Sequence, residues 1–247
     1  MNKSILRDFL FPLLILLFLT LFFRLTDADM ALAGLFHHQN LGWFLEDTRL
    51  ITFLHHYGTV PELALSFAAL CILVYGFRSD KALKYRKMAL FVFLVFFIGS
   101  VLVVNVVFKQ HWGRPRPNQV VTFGGERRFL PVWVKGDCKT CNSFPSGDAS
   151  AGFFLMVPFF ILRRAAPRCA SLFFVVGIGY GIVMGEARMA RGAHFASDVL
   201  WAGGIMYLTG LMLYYVLGMH KSIWWEREEA VIADPVGCKD GREEVGD

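Results

Sequence analysis

Three short clusters along the chain carry the kinds of side chain that hold a phosphate group and attack its phosphorus atom. Cationic donors stand in the first and third clusters, as Lys109, Arg116 and Arg188. The planar fork of an arginine matches the oxygens of a phosphate, and a lysine adds a point charge. The second cluster places Ser146 and Gly147 at the start of an apolar run, where a hydroxyl group and the free N–H groups of a predicted helix favour an anion.

The third cluster also contains a histidine with a carboxylate four residues later. His194 and Asp198 share one face if the segment is helical. The carboxylate can then hold one ring nitrogen and leave the other free to attack phosphorus. Each residue alone has an ordinary explanation, such as a membrane-interface anchor, a helix start or a buried structural histidine. Their occurrence together beside predicted membrane helices indicates a functional site.

The composition places these clusters in a membrane protein. Of 247 residues, 55% are hydrophobic and only 18% are charged, whereas about a quarter of a soluble domain is charged. This balance excludes a disordered chain, a coiled coil and an ordinary cytosolic enzyme. The net charge of +5 is typical of loops that face anionic lipid headgroups, so we expect no nucleic-acid partner. Five cysteines in so long a chain do not form a disulfide framework.

Six apolar stretches are long enough, or nearly so, to cross a bilayer as helices. They are Phe9–Phe23, Pro61–Phe77, Met88–Phe108, Ala149–Leu162, Cys169–Gly185 and Val199–Gly218. We therefore predict an all-α bundle of six transmembrane helices. The first stretch resembles the core of a signal peptide, but the small-residue triplet at 31–33 lies too far beyond it for a good cleavage site, which favours a retained helix. The fourth is the weakest, yet the second and third clusters meet only if it spans.

The distribution of lysine and arginine in short loops predicts the orientation. Basic residues are concentrated in the 78–87 and 163–168 loops, which puts both termini in the cytoplasm and all three clusters on the outer face. The seven basic residues of 109–139 lie on that outer face and are discounted, because they stand among the phosphate-type residues. Residues 24–58 are predicted to form interfacial outer-face helices. The expected organisation is 1–58 as first helix and interfacial segment, 59–220 as catalytic core and 221–247 as cytoplasmic tail.

The spacings of the three clusters resemble the signatures of the type 2 phosphatidic acid phosphatase (PAP2) superfamily, which shares its core with vanadium haloperoxidases and acid phosphatases. They read Lys-x6-Arg-Pro at 109–117, Pro-Ser-Gly-x at 145–148 and Arg-x5-His-x3-Asp at 188–198, and the resemblance covers about residues 88–218.

The resemblance implies a role for each matching residue. The phosphate would be bound by Lys109, Arg116 and Arg188, with further hydrogen bonds from Ser146 and Gly147. His194 would form the phosphohistidine and Asp198 would orient it. Because cationic side chains neutralise the phosphate charge, the resemblance implies no metal and no cofactor.

The chain departs from the family pattern at two positions. Ala187 replaces a serine that often precedes the arginine of the third motif. Asp148 stands where most members have the histidine that protonates the leaving group, and an acidic residue there is similar to bacterial lipid A phosphatases. Asp148 can serve as that acid only if burial or a neighbouring carboxylate keeps it protonated, and Glu186 is a candidate neighbour.

We therefore expect an integral-membrane lipid phosphatase that acts on a phosphate monoester of lipid A at the periplasmic face of a bacterial inner membrane, with no obligate protein partner. The alternatives are an undecaprenyl diphosphate or glycerolipid phosphate phosphatase, a lipid phosphotransferase, and a catalytically silent lipid-phosphate binder. Cys138 and Cys141 are expected to form a disulfide in the outer loop. The basic residues Arg127, Arg128, Lys135 and Lys139 either gather an anionic head group or form a solvated face.

Overall fold

Long apolar runs fold into helices in the computed structural model, which describes residues 3–76 and 80–221. Within these ranges five helical runs are long and apolar enough to cross a membrane: Ile5–Leu25, Arg49–Tyr75, Tyr85–His111, Pro167–Ala190 and Ala196–Val216. A sixth, Gly147–Leu162, is apolar but shorter. The same ranges contain no β-strand. The predicted all-α bundle is confirmed, with the fourth helix the shortest, as expected.

The helices are numbered in chain order. They are α1 (Lys3–Leu25), α2 (Ala28–Gly34), α3 (Arg49–Tyr57), α4 (Val60–Tyr75), α5 (Asp80–Leu94), α6 (Lys109–His111), α7 (Gly147–Phe153), α8 (Val157–Leu162), α9 (Pro167–Ala190) and α10 (Ala196–Val216). A π-helical segment, Val95–Phe108, joins α5 to α6, and a 3-10 turn, Phe154–Met156, joins α7 to α8.

The second membrane run begins earlier than predicted. Helices α3 and α4 form one candidate span from Arg49 to Tyr75, because residues 49–57 supply an apolar face that continues into α4. The segment 24–58 contains the helices α2 and α3, and their placement at the membrane interface stays a prediction. The expected cytoplasmic tail lies, beyond residue 221, outside the described residues.

Close packing between α7 and α9 positions the second cluster. A Cβ atom added at Gly152 would lie 2.7 Å from Cα of Gly181, so the two backbones touch where only glycine fits. Small residues of this kind allow membrane helices to approach closely and gain van der Waals contact. Helix α10 packs against α7, α9, α1 and the π-helical segment. The start of α7 is thereby held next to the end of α9 and the start of α10.

Phenylalanine fills the core of the bundle. Phe91, Phe153, Phe154 and Phe160 are buried in one cluster that also contains Met206. Their rings pack edge to face or tilted, as between Phe91 and Phe160 at 6.2 Å between ring centroids, a geometry favoured by the aromatic quadrupole. The 25 phenylalanines of the chain thus serve packing between helices as well as contact with lipid.

An aromatic and disulfide-bonded loop covers the end of the bundle that holds the clusters. Trp133 stacks edge-on against Trp112 and Trp201, with centroid distances of 5.0 Å and 4.7 Å. The predicted disulfide between Cys138 and Cys141 is present. Just before it, the Gly136 N–H donates to the carbonyl of Trp112 at 2.9 Å. The loop therefore lies directly on the backbone of the first cluster.

Candidate active site

The three clusters converge at one end of the bundle. Lys109 begins α6 at the end of the π-helical segment, and Gly147 begins α7. Arg188 lies in the last turn of α9, and Asp198 lies in the first turn of α10. Residues that are far apart in the sequence therefore lie at four helix ends on the same side of the bundle.

His194 is fully buried, and its two ring nitrogens have different environments. Its Nδ1 lies 2.6 Å from the backbone carbonyl oxygen of Ser143. A carbonyl only accepts, so Nδ1 carries the proton and Nε2 keeps its lone pair. Nε2 has no hydrogen-bond partner in the described part of the chain. Burial lowers the pKa of His194, although Asp198 opposes that shift, and a neutral ring with a free Nε2 is the form that can attack phosphorus.

Asp198 contacts His194 less directly than the sequence predicted. Its Oδ2 lies 3.8 Å from His194 Nδ1, which is too far for a hydrogen bond. Instead Oδ2 accepts from the Ser143 hydroxyl at 2.6 Å and from the Phe195 N–H at 2.8 Å. Asp198 therefore holds the Ser143 backbone that in turn fixes His194, and it caps the start of α10.

A buried arginine that the sequence analysis did not single out anchors Asp198. The side chain of Arg114 is fully buried and donates to Asp198 Oδ1 at 2.5 Å and to Asp29 Oδ2 at 2.8 Å. It also donates to the Ser197 hydroxyl at 2.8 Å and, through Nε, to the carbonyl of Leu130 at 2.9 Å. Burial disfavours the charge, but Asp198 and Asp29 outweigh it and raise the pKa of Arg114.

Asp29 reaches this network from α2, just beyond the first membrane helix. Its carboxylate also accepts from the backbone N–H of Ser197 at 2.9 Å and from the Ser197 hydroxyl at 2.5 Å. Burial raises the pKa of Asp29 more than Arg114 lowers it. The sequence contains one signal for the role of Asp29, which is an acidic residue close behind an apolar helix. A carboxylate that becomes buried in such a place requires a cationic or hydrogen-bonding partner.

The cationic residues that were predicted to bind phosphate lie around this centre. A Cβ atom added at Gly147 would lie 3.0 Å from Lys109 Nζ, so the ammonium group sits against the first residue of α7. Nε of Arg116 is buried without a hydrogen-bond partner among the described residues. Burial and the nearby charge of Arg188 lower the pKa of Arg116, which nevertheless stays a cation, since arginine does not deprotonate in proteins. These donors are available for an anion.

Ser146 has a structural task as well as the predicted one. Its hydroxyl oxygen accepts from the N–H of Ala149 at 3.3 Å and caps α7, and its own N–H donates to the backbone carbonyl of Asp198 at 3.2 Å. The second cluster is thus tied to the start of α10. The hydroxyl proton stays available to a ligand, because the cap uses only the oxygen.

Asp148 forms an ion pair with one of the predicted phosphate-binding residues. Its Oδ2 lies 3.0 Å from Nε of Arg188. Glu186, the neighbour that the sequence suggested, is exposed. The buried carboxyl group of Glu62 in α4 is instead close enough to Asp148 for the two groups to repel each other when both are charged. On its other edge Arg188 contacts a residue that the sequence did not indicate: Nη1 lies 2.7 Å from Nδ1 of His55 in α3.

The described residues offer no group of three or more His, Cys, Asp or Glu side chains placed to hold a metal ion. What the site offers is a set of cations, a helix start and a buried imidazole with one free nitrogen. Such a set can bind a phosphate monoester and accept its phosphoryl group.

Comparisons with known proteins agree with this geometry. The PAP2 superfamily profile matches residues 89–222. The chain is 34% identical over 216 residues to a protein named lipid A 4'-phosphatase from Francisella tularensis subsp. novicida, covering 85% of this chain and 95% of that protein. Proteins of the same name from Rhizobium etli and Rhizobium leguminosarum are 34% identical over 217 residues (82% of this chain, 79% of theirs) and 36% identical over 140 residues (55% and 57%). No solved structure matches. By its motifs, its helical architecture and these similarities, the chain belongs to the PAP2 superfamily.

Proposed function

We propose that this membrane phosphatase removes the 4'-phosphate of lipid A through a phosphohistidine at His194. The observation that carries the proposal is the buried Nε2 of His194, which has no hydrogen-bond partner among the described residues and is close enough to Lys109 and Arg188 to be affected by their charges. The names of the relatives from Francisella and Rhizobium support lipid A as the substrate and 4' as the position.

The first chemical step is attack by His194. Its Nε2 lone pair forms the bond to phosphorus, and the electron pair of the breaking ester bond goes to the sugar oxygen. The Ser143 carbonyl keeps the proton on Nδ1, so the ring becomes cationic when phosphorylated, next to the carboxylate of Asp198 at 3.8 Å. Water then attacks the phosphohistidine, releases phosphate and regenerates the free ring.

The cationic residues have the task of binding the phosphate and stabilising the charge on its oxygens. Arg116 has a buried donor that meets no acceptor in the described part of the chain, and Lys109 lies beside the start of α7. Arg188 must turn part of its fork from Asp148 to the substrate, since its Nε is ion-paired with Asp148. Electrostatic stabilisation of this kind is commonly the largest contribution to catalysis, and Ser146 and Gly147 add hydrogen bonds at the helix start.

We further propose that the site faces the periplasm from a bacterial inner membrane. The concentration of basic residues in the stretches 78–87 and 163–168, which the order of the apolar stretches along the sequence puts on the side opposite to the three clusters, supports that orientation. Residues 59–220 would form the catalytic core, with 1–58 completing it and 221–247 in the cytoplasm.

The test is a phosphatase assay with the purified full-length protein in detergent. Lipid A is supplied as substrate, released phosphate is measured, and mass spectrometry of the lipid product identifies the position that lost phosphate. Undecaprenyl diphosphate and phosphatidic acid serve as competing substrates. We expect lipid A to be turned over most efficiently and to lose the 4'-phosphate. Preference for another lipid would refute the proposed substrate, and loss of the other lipid A phosphate would refute the proposed position.

A further inference from the structure

The residue at the position of the usual acid, Asp148, is not placed as a hydrogen-bond donor for the oxygen that leaves phosphorus. Asp148 occupies the position at which most members of the superfamily have a histidine, and its carboxylate is paired with Arg188 at 3.0 Å. An ion-paired carboxylate accepts hydrogen bonds and does not donate them. Assistance to a leaving group typically contributes about 10²–10⁴-fold to the rate, so a donor other than Asp148 that faces the leaving oxygen would speed the departure of a sugar.

His55 has the required chemistry and reaches the site from α3. Its Nδ1 lies 2.7 Å from Nη1 of Arg188. Arginine has only donors, so Nδ1 of His55 is the acceptor and the ring proton resides on Nε2. The contact with Arg188 thus selects the tautomer of His55, just as the Ser143 carbonyl selects the opposite tautomer of His194.

The position of His55 complements that of Asp148. The two side chains contact different nitrogens of the same guanidinium, Asp148 at Nε and His55 at Nη1. The charge of Arg188 acts on both His55 and His194. His55 is exposed, and the structure gives its Nε2–H no hydrogen-bond partner among the residues that it describes.

We propose that His55 is a further catalytic residue, whose Nε2–H donates a hydrogen bond to the oxygen that leaves phosphorus. This inference rests on the proposed function. As His194 Nε2 bonds to phosphorus and the ester bond breaks, the electron pair passes to the leaving oxygen. The neutral imidazole of His55 stabilises that charge as a hydrogen-bond donor, a role known for neutral imidazoles. A water molecule supplies the proton that completes the alcohol, and the hydroxide left behind is consumed when the phosphohistidine is hydrolysed. His55 therefore keeps its own proton, and its Nδ1 keeps its contact with Arg188.

The experiment compares two synthetic phosphate monoesters that share one alkyl tail and differ in leaving group. One releases an alcohol, a poor leaving group, and the other releases a nitrophenol, which departs without assistance. The full-length protein in detergent is compared with His55→Ala and His55→Gln. The matched control is His56→Ala, because His56 is adjacent and exposed but has its Nδ1 bonded to the Thr52 carbonyl of its own helix at 2.8 Å.

We expect His55→Ala to lower kcat/KM by about 10²-fold on the alkyl ester and to change it little on the nitrophenyl ester. His55→Gln should retain part of the activity, since a glutamine can accept from Arg188 and donate with its amide. His56→Ala should match the parent on both esters.

An equal loss on both esters would overturn the inference, because it would mean that His55 only positions Arg188. Unchanged turnover of the alkyl ester by His55→Ala would overturn it as well. In either case the parent protein is active, so the result is distinct from failure of the proposed function, in which the parent itself turns over neither lipid A nor the esters.

Discussion

Replacing Gly147 with alanine tests whether Lys109 takes part in phosphate binding. Gly147 is the first residue of α7, and the space where a Cβ atom would go is already occupied. That atom would lie 2.8 Å from Oδ1 of Asn105 and 3.0 Å from Nζ of Lys109. Both contacts are with the ends of flexible side chains, so the fold can adjust while the ammonium group moves away from the helix start. Alanine also retains the backbone N–H and suits a helix.

The size of the effect follows from the contact that is displaced. A hydrogen bond that involves a charged group contributes about 1.5–3 kcal/mol. If Gly147→Ala removes the interaction of Lys109 with the phosphate, and a factor of ten corresponds to about 1.36 kcal/mol, kcat/KM should fall about 10- to 150-fold. The free energy of unfolding should change little, because no backbone contact is broken.

The assay is lipid A dephosphorylation, with unfolding followed in mixed micelles of increasing SDS content. Gly179→Ala is the control, since a Cβ atom at Gly179 in α9 meets no other atom within 4 Å. That variant should match the parent in activity. If Gly147→Ala is fully active, or if it loses activity only in step with stability, Lys109 is not positioned by the space at Gly147 and the reasoning fails.

Three further predictions follow from the network and the orientation. Arg114→Met should lower the free energy of unfolding by about 3–5 kcal/mol, because it leaves two buried carboxylates without their cation. The control Arg191→Ala removes a partly exposed ion pair and should lower it by about 0–1 kcal/mol. If both variants unfold at the same SDS content, the prediction is wrong. Burial lowers the pKa of His194, so its ring stays neutral at pH values below the ordinary histidine pKa of about 6.5. We therefore expect kcat/KM to stay constant as the pH falls through about 6.5 and to decline only at lower pH. If half of the activity is lost at or above that pH, His194 is not the nucleophile. A cysteine at the exposed Val121 should react with an impermeant maleimide in intact spheroplasts of a variant without free cysteines, and one at Ala165 only after lysis; the reverse pattern would place the site in the cytoplasm.

The sequence was informative wherever function depends on residues that are close in the chain. The third cluster was predicted to bring Arg188, His194 and Asp198 to one site. The structure places Arg188 and Asp198 at adjacent helix ends, but His194 precedes α10 and so does not share a helical face with Asp198. The helices were predictable too, because some twenty apolar residues in a row have few alternatives to a membrane helix. Boundaries were less predictable, since polar residues in α3 hid the fact that the second long helical run begins at Arg49.

The partners of the buried polar groups could not be predicted in the same way. Asp29 and Arg114 are separated by two candidate spans, and nothing in their local sequence identifies one as the partner of the other. Likewise His55 belongs to one of two histidine pairs, and only the packing of α3 against α9 brings it, rather than His56, to Arg188. The direct contact predicted between Asp198 and His194 was replaced by one through Ser143, because the carboxylate is also needed by Arg114 and by the Phe195 N–H.

The placement of Asp29 bears on how this enzyme can be divided and recombined. The stretch that matches the superfamily begins at residue 89, yet one of the two acids that neutralise the buried Arg114 comes from residue 29. The segment that contains α1 and α2 is consequently more than an anchor, because Asp29 of α2 brings a charge into the interior formed by the later residues. A chimera that joins the later part of this chain to the N-terminal segment of another protein would need an acidic residue at the position of Asp29. Without it, the buried Arg114 would keep only one of its two carboxylate partners, Asp198. Conversely, a fragment of residues 1–58, co-expressed with the remainder, has a specific ionic contact through which to dock, which makes the loop at 35–48 the natural place to split the protein into complementing halves.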